Sequence, residues 1–116
     1  MRFLVIDDSD ATRFMLKGML ESLGHSVAAE ARDEDEALKA WASSKPEAVT
    51  LDLSLASGNG LDLLRSLKGK GLSAKILVVS GNSQDRVRAD LKAAGASGFL
   101  VKPFTLEELA QAVREI

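Results

Sequence analysis

The sequence contains no cysteine, which removes disulfides, thiolate metal sites and cysteine nucleophiles from consideration together and fits a reducing compartment. Nor is there an excess of positive charge. A formal net charge of −2 leaves no electrostatic footprint for nucleic acid or for an anionic membrane surface. No apolar run approaches the roughly 20 residues needed to span a bilayer. The opening segment MRFLVIDD reaches two acids after a short apolar run, whereas a secretory signal needs a longer apolar stretch and a small-residue cleavage site. A cytoplasmic location is therefore expected. Repeats and low-complexity tracts are also missing. Hydrophobic and charged residues, 46% and 28% of the chain, are mixed along its whole length, which predicts a globular fold. At 116 residues one domain, 1–116, is expected.

A five-fold alternation of strand and helix patterns fills this length. Short β-branched or aliphatic runs predict strands at Phe3 to Ile6, Ser26 to Glu30, Ala48 to Leu51, Lys75 to Val79 and Gly98 to Val101. The unbroken apolarity of Phe3-Leu4-Val5-Ile6 and Ile76-Leu77-Val78-Val79 predicts burial on both faces, as in a parallel sheet covered by helices. Between the strands the spacing turns helical. From Asp10 to Leu23 the apolar positions Met15, Leu16, Met19, Leu20 and Leu23 make one stripe, and Gly24 supplies a stop. Further helices are predicted over Asp33 to Ala42, Gly60 to Leu67, Asn82 to Ala94 and Thr105 to Arg114, the last opened by a Thr105/Glu108 capping box. Five successive βα units imply a doubly wound parallel α/β sheet with helices on both faces.

On this assignment Asp7 and Asp8 close the first strand, Asp52 the third, Ser80 the fourth and Lys102 the fifth. Open α/β sheets bind ligands outside the carboxyl ends of their strands, so these five residues converge on one edge. Three carboxylates in a small pocket repel one another unless a divalent cation and a nearby ammonium offset them.

The segments FLVIDD (3 to 8), LDLSLASGNGLDLL (51 to 64), ILVVSG (76 to 81) and GFLVKPF (98 to 104) resemble the CheY-like receiver domain of two-component response regulators. The likeness covers essentially the whole chain. It implies a flavodoxin-like five-stranded sheet in the order 2-1-3-4-5 with five helices. It also implies that Asp52 is the phosphoacceptor, taking a phosphoryl group from a histidine kinase or histidine phosphotransfer protein and promoting its own modification and hydrolysis without being an enzyme. Asp8, Asp52 and the backbone carbonyl of Ser54 would ligate Mg²⁺ directly and Asp7 through water, an all-oxygen set that suits this ion. Lys102 would pair with the carboxylate or with a phosphoryl oxygen, and Ser80 would donate to the phosphoryl group in concert with Phe99 as a switch. Ser54 and Asn82 would tune hydrolysis, and Lys102-Pro103 would be a cis peptide. The changing surface is expected on the fourth helix, fifth strand and fifth helix. A monomer is expected, with dimerisation on phosphorylation as the alternative state.

Three positions depart from the family pattern. Ala56-Ser57-Gly58-Asn59-Gly60 stands where many receivers carry proline, Phe99 lacks a tyrosine hydroxyl, and Gly18 interrupts the first helix. Phe14 and Gly18 lie off the apolar stripe. Two readings stay open for them: partial burial against a loop, or a docking patch shared with Ala11, Met15 and Phe104 for a kinase or phosphotransfer helix bundle. His25 reads as a turn residue and Trp41 as packing for the second helix.

Rival functions remain on the sequence alone. Asp8-Ser9-Asp10-Ala11-Thr12 fits the D-x-D-x-T motif of haloacid-dehalogenase-like phosphatases, with Asp8 as nucleophile, but that reading leaves Asp52 without a role. A flavodoxin-like cofactor carrier needs a phosphate loop where this chain has two acids. A pseudo-receiver acting only as an interaction module would not need the full set of acids, hydroxyl and lysine.

Overall fold

Each apolar run becomes a strand because its two faces have separate helices to pack against. The computed structural model, which describes residues 1–53, 60–69, 74–81 and 85–116, has β1 (Arg2–Ile6), α1 (Asp10–Ser22), β2 (Ser26–Ala31), α2 (Glu34–Ser44), β3 (Ala48–Asp52), α3 (Gly60–Gly69), β4 (Lys75–Ser80), α4 (Asp85–Ala93), β5 (Gly98–Val101) and α5 (Leu106–Glu115). The five strands form one parallel sheet in the order β2-β1-β3-β4-β5, as the strand patterns and the family likeness imply. Alternation along the strands sends Leu4, Ile6, Val49, Leu51, Ile76 and Val78 to one face, where they meet Trp41, Leu63, Leu64, Leu67 and Leu91. Phe3, Val5, Ala48, Leu77 and Val79 point to the other, against Leu16, Leu20, Leu109 and Val113. Helices α2, α3 and α4 thus cover one side of the sheet and α1 and α5 the other.

Local chemistry sets the element ends. Ser9 caps α1 through its hydroxyl, which accepts from the Thr12 N–H, and Asp33 caps α2 by accepting from Glu36. Asp33 is therefore a cap and not a first helical residue, and Thr105 is the N-cap that the predicted capping box requires. The capping box of Thr105 and Glu108 is present in both directions. Gly24, with φ of +90°, turns the chain into β2 through backbone that favours glycine. The Lys102-Pro103 bond is cis.

The structure corrects three sequence-level readings. The α1 stripe is narrower than predicted: Leu16 and Leu20 are buried, Met19 and Leu23 are half-buried, and Met15 is largely exposed. Phe14 is 82% exposed, which removes the reading of partial burial against a loop. His25 is half-buried, with its ring edge-on to Phe3 at a centroid distance of 5.4 Å. Burial, then repulsion by the N-terminal ammonium, lowers its pKa.

Thr50 sits between Val5 and Leu77 in the register of β1, β3 and β4. It is buried, and its hydroxyl has no hydrogen-bond partner among the described residues. A buried polar group without a partner costs about 1–3 kcal/mol. Thr50→Val keeps the β-branched shape and removes the hydroxyl. It is expected to raise stability by about 1 kcal/mol in urea unfolding; a loss of similar size would show that the hydroxyl is bonded in solution.

Candidate functional site

Adjacent strands carry the acids to one place. Ile6 pairs with Leu51 in the β1–β3 ladder, so Asp7 and Asp52 close the two strands side by side. Both are almost fully buried, at 1% and 2% exposure, while Asp8 is exposed to solvent. A carboxylate oxygen from each of the three lies within 4.8 Å of the others. Such a cluster fits a hard divalent cation: oxygen donors only, two walls fixed by the sheet and a third side open to water. Asp7 is oriented from behind by the Ser9 N–H, which donates to its Oδ1 at 2.9 Å.

Lys102 reaches this cluster from beyond β5. Its Nζ stands 3.2 Å from Asp7 Oδ2 and 3.5 Å from Asp52 Oδ1, so one half-buried ammonium serves two buried carboxylates. Its backbone N–H donates to the Ser80 carbonyl at 2.9 Å, tying the end of β5 to the end of β4. Ser80 thereby lies beside Lys102 at the rim, half-buried. Phe99, one turn of the pleat back on β5, is half-buried against the side of the sheet covered by α2, α3 and α4.

The charges are not fully balanced. Burial first, and then the neighbouring Asp52 carboxylate, push the Asp7 pKa above its ordinary value, against the opposing pull of the Ser9 N–H and of Lys102.

Of the residues the sequence proposes, Asp7, Asp8, Asp52, Ser80 and Lys102 come together at one edge. The Ser54 carbonyl and Asn82 lie outside the described residues, as do the loops at 54–59 and 70–73. Of the docking set, Met15 and Phe104 line a groove beside Lys102. Ala11, Phe14, Met15 and Gly18 are all exposed on α1, and a β carbon on Gly18 would meet nothing within 4 Å, so packing does not require glycine there. A groove of about 400 Å³ lies between Thr12, Met15, Lys102, Pro103 and Phe104. Asp10, the second acid of the D-x-D-x-T match, is 91% exposed and ion-paired to Arg13, and Lys102 faces Asp7 and Asp52. The geometry therefore lends the phosphatase reading no support.

Arg13 was not anticipated. It donates to the Asp7 carbonyl at 2.6 Å, and the available signal was its position three residues after Asp10 in the first turn of α1.

A family model described as the response regulator receiver domain matches residues 3–114. The chemotaxis protein CheY of Thermotoga maritima is 33% identical over 115 residues, covering 99% of this chain and 96% of that protein. Response regulator MprA of Mycobacterium tuberculosis is 39% identical over 115 residues, of which this chain covers 50%. Among solved structures, chemotaxis protein CheY4 of Vibrio cholerae superposes with a TM-score of 0.91 at 26% identity, covering 99% and 98% of the two chains. The CheY of a CheX–CheY–BeF3–Mg complex from Borrelia burgdorferi gives 0.93 at 25% identity, covering 97% and 86%. Among the described residues no helix is long and apolar enough to cross a membrane.

The sign of the Asp7 shift makes a prediction for the protein in EDTA. A raised folded pKa means that the fold prefers the neutral acid. That contribution is complete below the ordinary value of 3.8 and is lost as pH rises through the raised value. Asp7→Asn keeps an acceptor for Ser9 and leaves Lys102 to Asp52 alone. It is expected to be more stable than the wild type at pH 7 by on the order of 1 kcal/mol, with the difference shrinking as pH falls toward 4. A less stable variant at pH 7 would contradict this electrostatic account.

Proposed function

The chain belongs to the response regulator receiver domain family, and from that premise we propose that it is a phosphoacceptor switch whose modified group is Asp52. The observation that carries the reading is the buried Asp52 carboxylate at a strand terminus, 3.5 Å from the Lys102 ammonium and within ligand distance of Asp7 and Asp8. The donor would be a phosphohistidine on a kinase or phosphotransfer protein. A carboxylate oxygen of Asp52 attacks phosphorus in line, the phosphorus–nitrogen bond breaks, and the imidazole leaves with its electron pair and takes up a proton.

Positioning and charge neutralisation are most of what a protein contributes to such a transfer. The Asp7 and Asp8 carboxylates would hold Mg²⁺ together with Asp52, and the ion when bound supplies positive charge to the phosphoryl oxygens. Support for this ion comes from the all-oxygen donor set and from the Borrelia burgdorferi relative, a complex with BeF3 and Mg. Lys102 would offer its ammonium to the same oxygens, and the Ser80 hydroxyl would donate to them from the rim. Reversal requires only water at phosphorus, which returns the free carboxylate and inorganic phosphate. The chain promotes both steps on itself and turns over no separate substrate, so we read it as a signalling domain and not an enzyme. Asp52 bearing a dianionic phosphoryl group would favour the conformer in which Ser80 is drawn toward phosphorus and Phe99 follows it inward, altering α4, β5 and α5.

The exposed face of Ala11, Phe14, Met15 and Gly18 together with Phe104 would receive the donor's helices, because Phe14 is 82% exposed and its neighbour Met15 lines a groove with Phe104 beside Lys102. The downstream target is a protein, with no nucleic acid or membrane contact of its own. The expected state is a cytoplasmic monomer with dimerisation on phosphorylation as the alternative.

Acetyl phosphate with MgCl2 separates the roles. Wild-type protein and Asp8→Asn should differ in their Mg²⁺ requirement, and Asp52→Asn should yield no acid-stable, hydroxylamine-labile phosphoprotein. Retention of that adduct on Asp52→Asn would sink the reading. Docking is tested apart from chemistry by Phe14→Glu, expected to slow transfer from a phosphohistidine protein by about tenfold, a typical cost of losing a central contact, with the acetyl phosphate rate unchanged. Equal slowing of both reactions would remove Phe14 from the docking surface.

A further inference from the structure

Arg13 is held more tightly than its place on a surface helix requires. Its side chain is 13% exposed, although arginine is seldom buried unless paired. Three strand and helix ends meet on it. Its guanidinium donates to the Asp7 carbonyl oxygen at 2.6 Å, pairs with Asp10 at the start of α1, and brings Nε to 3.4 Å from Glu30 Oε1 on β2.

The Asp7 carbonyl stands where the sheet stops supplying donors. The Asp7 N–H still bonds to the Ala31 carbonyl at 2.9 Å, but β1 ends at Ile6 and its ladder partners end with it. A buried carbonyl at such a point needs a donor from elsewhere, and Arg13 provides a charged one. That carbonyl belongs to the peptide joining Asp7 to Asp8. Fixing it fixes the plane from which the Asp8 side chain departs, while the Ser9 N–H independently orients the Asp7 carboxylate.

We propose that Arg13 is a positioning residue for the cation site: by holding the Asp7–Asp8 peptide it converges the two acids with Asp52, and Asp10 and Glu30 hold Arg13 in turn. The proposal rests on the receiver reading above. It opposes the simplest electrostatic expectation. A guanidinium close to an acidic cluster repels a divalent cation, so its removal should tighten Mg²⁺ binding by charge alone. Removal should instead weaken it if geometry is what Arg13 supplies.

Calorimetric titration of the full chain with MgCl2 distinguishes these. Arg13→Gln is expected to weaken Mg²⁺ binding by about tenfold, as for other outer-shell partners of metal ligands. Glu30→Gln, which removes one tether and leaves the Arg13–Asp7 bond, should show a smaller loss in the same direction. Unfolding in EDTA reports stability separately, since a merely structural Arg13 would lower the unfolding midpoint and leave the affinity of the folded protein unchanged. Unchanged or tighter Mg²⁺ binding in Arg13→Gln overturns the proposal; should that variant fail to fold, unchanged or tighter binding in Glu30→Gln overturns it. A wild-type protein that takes up no Mg²⁺ overturns the receiver chemistry beneath it.

Discussion

A single ammonium shared between two buried carboxylates is the constraint on which this edge of the fold depends. Lys102 Nζ lies 3.2 Å from Asp7 and 3.5 Å from Asp52, and its positive charge offsets part of the cost of burying two carboxylates in the sheet. Two negative charges against one positive charge still leave an excess, which shows in the upward push on the Asp7 pKa by burial and by Asp52. The deficit defines what the site will accept. On the proposed reading a divalent cation would offset the carboxylates, and a phosphoryl group on Asp52 would bring new oxygens for Lys102 to face.

The architecture supplies this arrangement at small local expense. β1 and β3 are neighbours, so Asp7 and Asp52 come together by register alone. β5 is two strands from β3, with β4 between them, and strands spaced about 4.8 Å apart put its end roughly 10 Å from that of β3. Only a long side chain crosses that gap, and the bond from the Lys102 N–H to the Ser80 carbonyl sets its starting point. The same bond ties Ser80 to Lys102 through backbone, so the two residues that would sense phosphate share one anchor.

Much of this was legible in the sequence because it follows from period and position. Apolar runs of strand length, acids at their ends and a Thr-x-x-Glu cap are local signals, and the strands, the capping box and the convergence of five residues on one edge all follow from them. What was not legible depends on register, twist or three-dimensional neighbours. Ala28 is an extra residue in β2, where the pairing passes from Phe3 with Val27 to Leu4 with Ala29, and no alternation rule places it. The division of Lys102 between Asp7 and Asp52 depends on distances that span β1, β3, β4 and β5. Arg13 reads as an ordinary surface charge until Asp7, Asp10 and Glu30 are found around it. Phe14 could be half-buried or bare by periodicity, and only its 82% exposure in the folded chain decides it.

The central claim is that the carboxylate cluster is a cost to the fold which a divalent cation relieves. Equilibrium urea unfolding at pH 7, repeated across a series of MgCl2 concentrations with ionic strength held constant, tests it directly. The account predicts stability that rises with the logarithm of Mg²⁺ concentration once the site begins to fill, by about 1.4 kcal/mol for each further tenfold, and a rise that disappears when Asp8 is replaced by asparagine. Stability independent of Mg²⁺, or an equal rise in the Asp8→Asn protein, would contradict it.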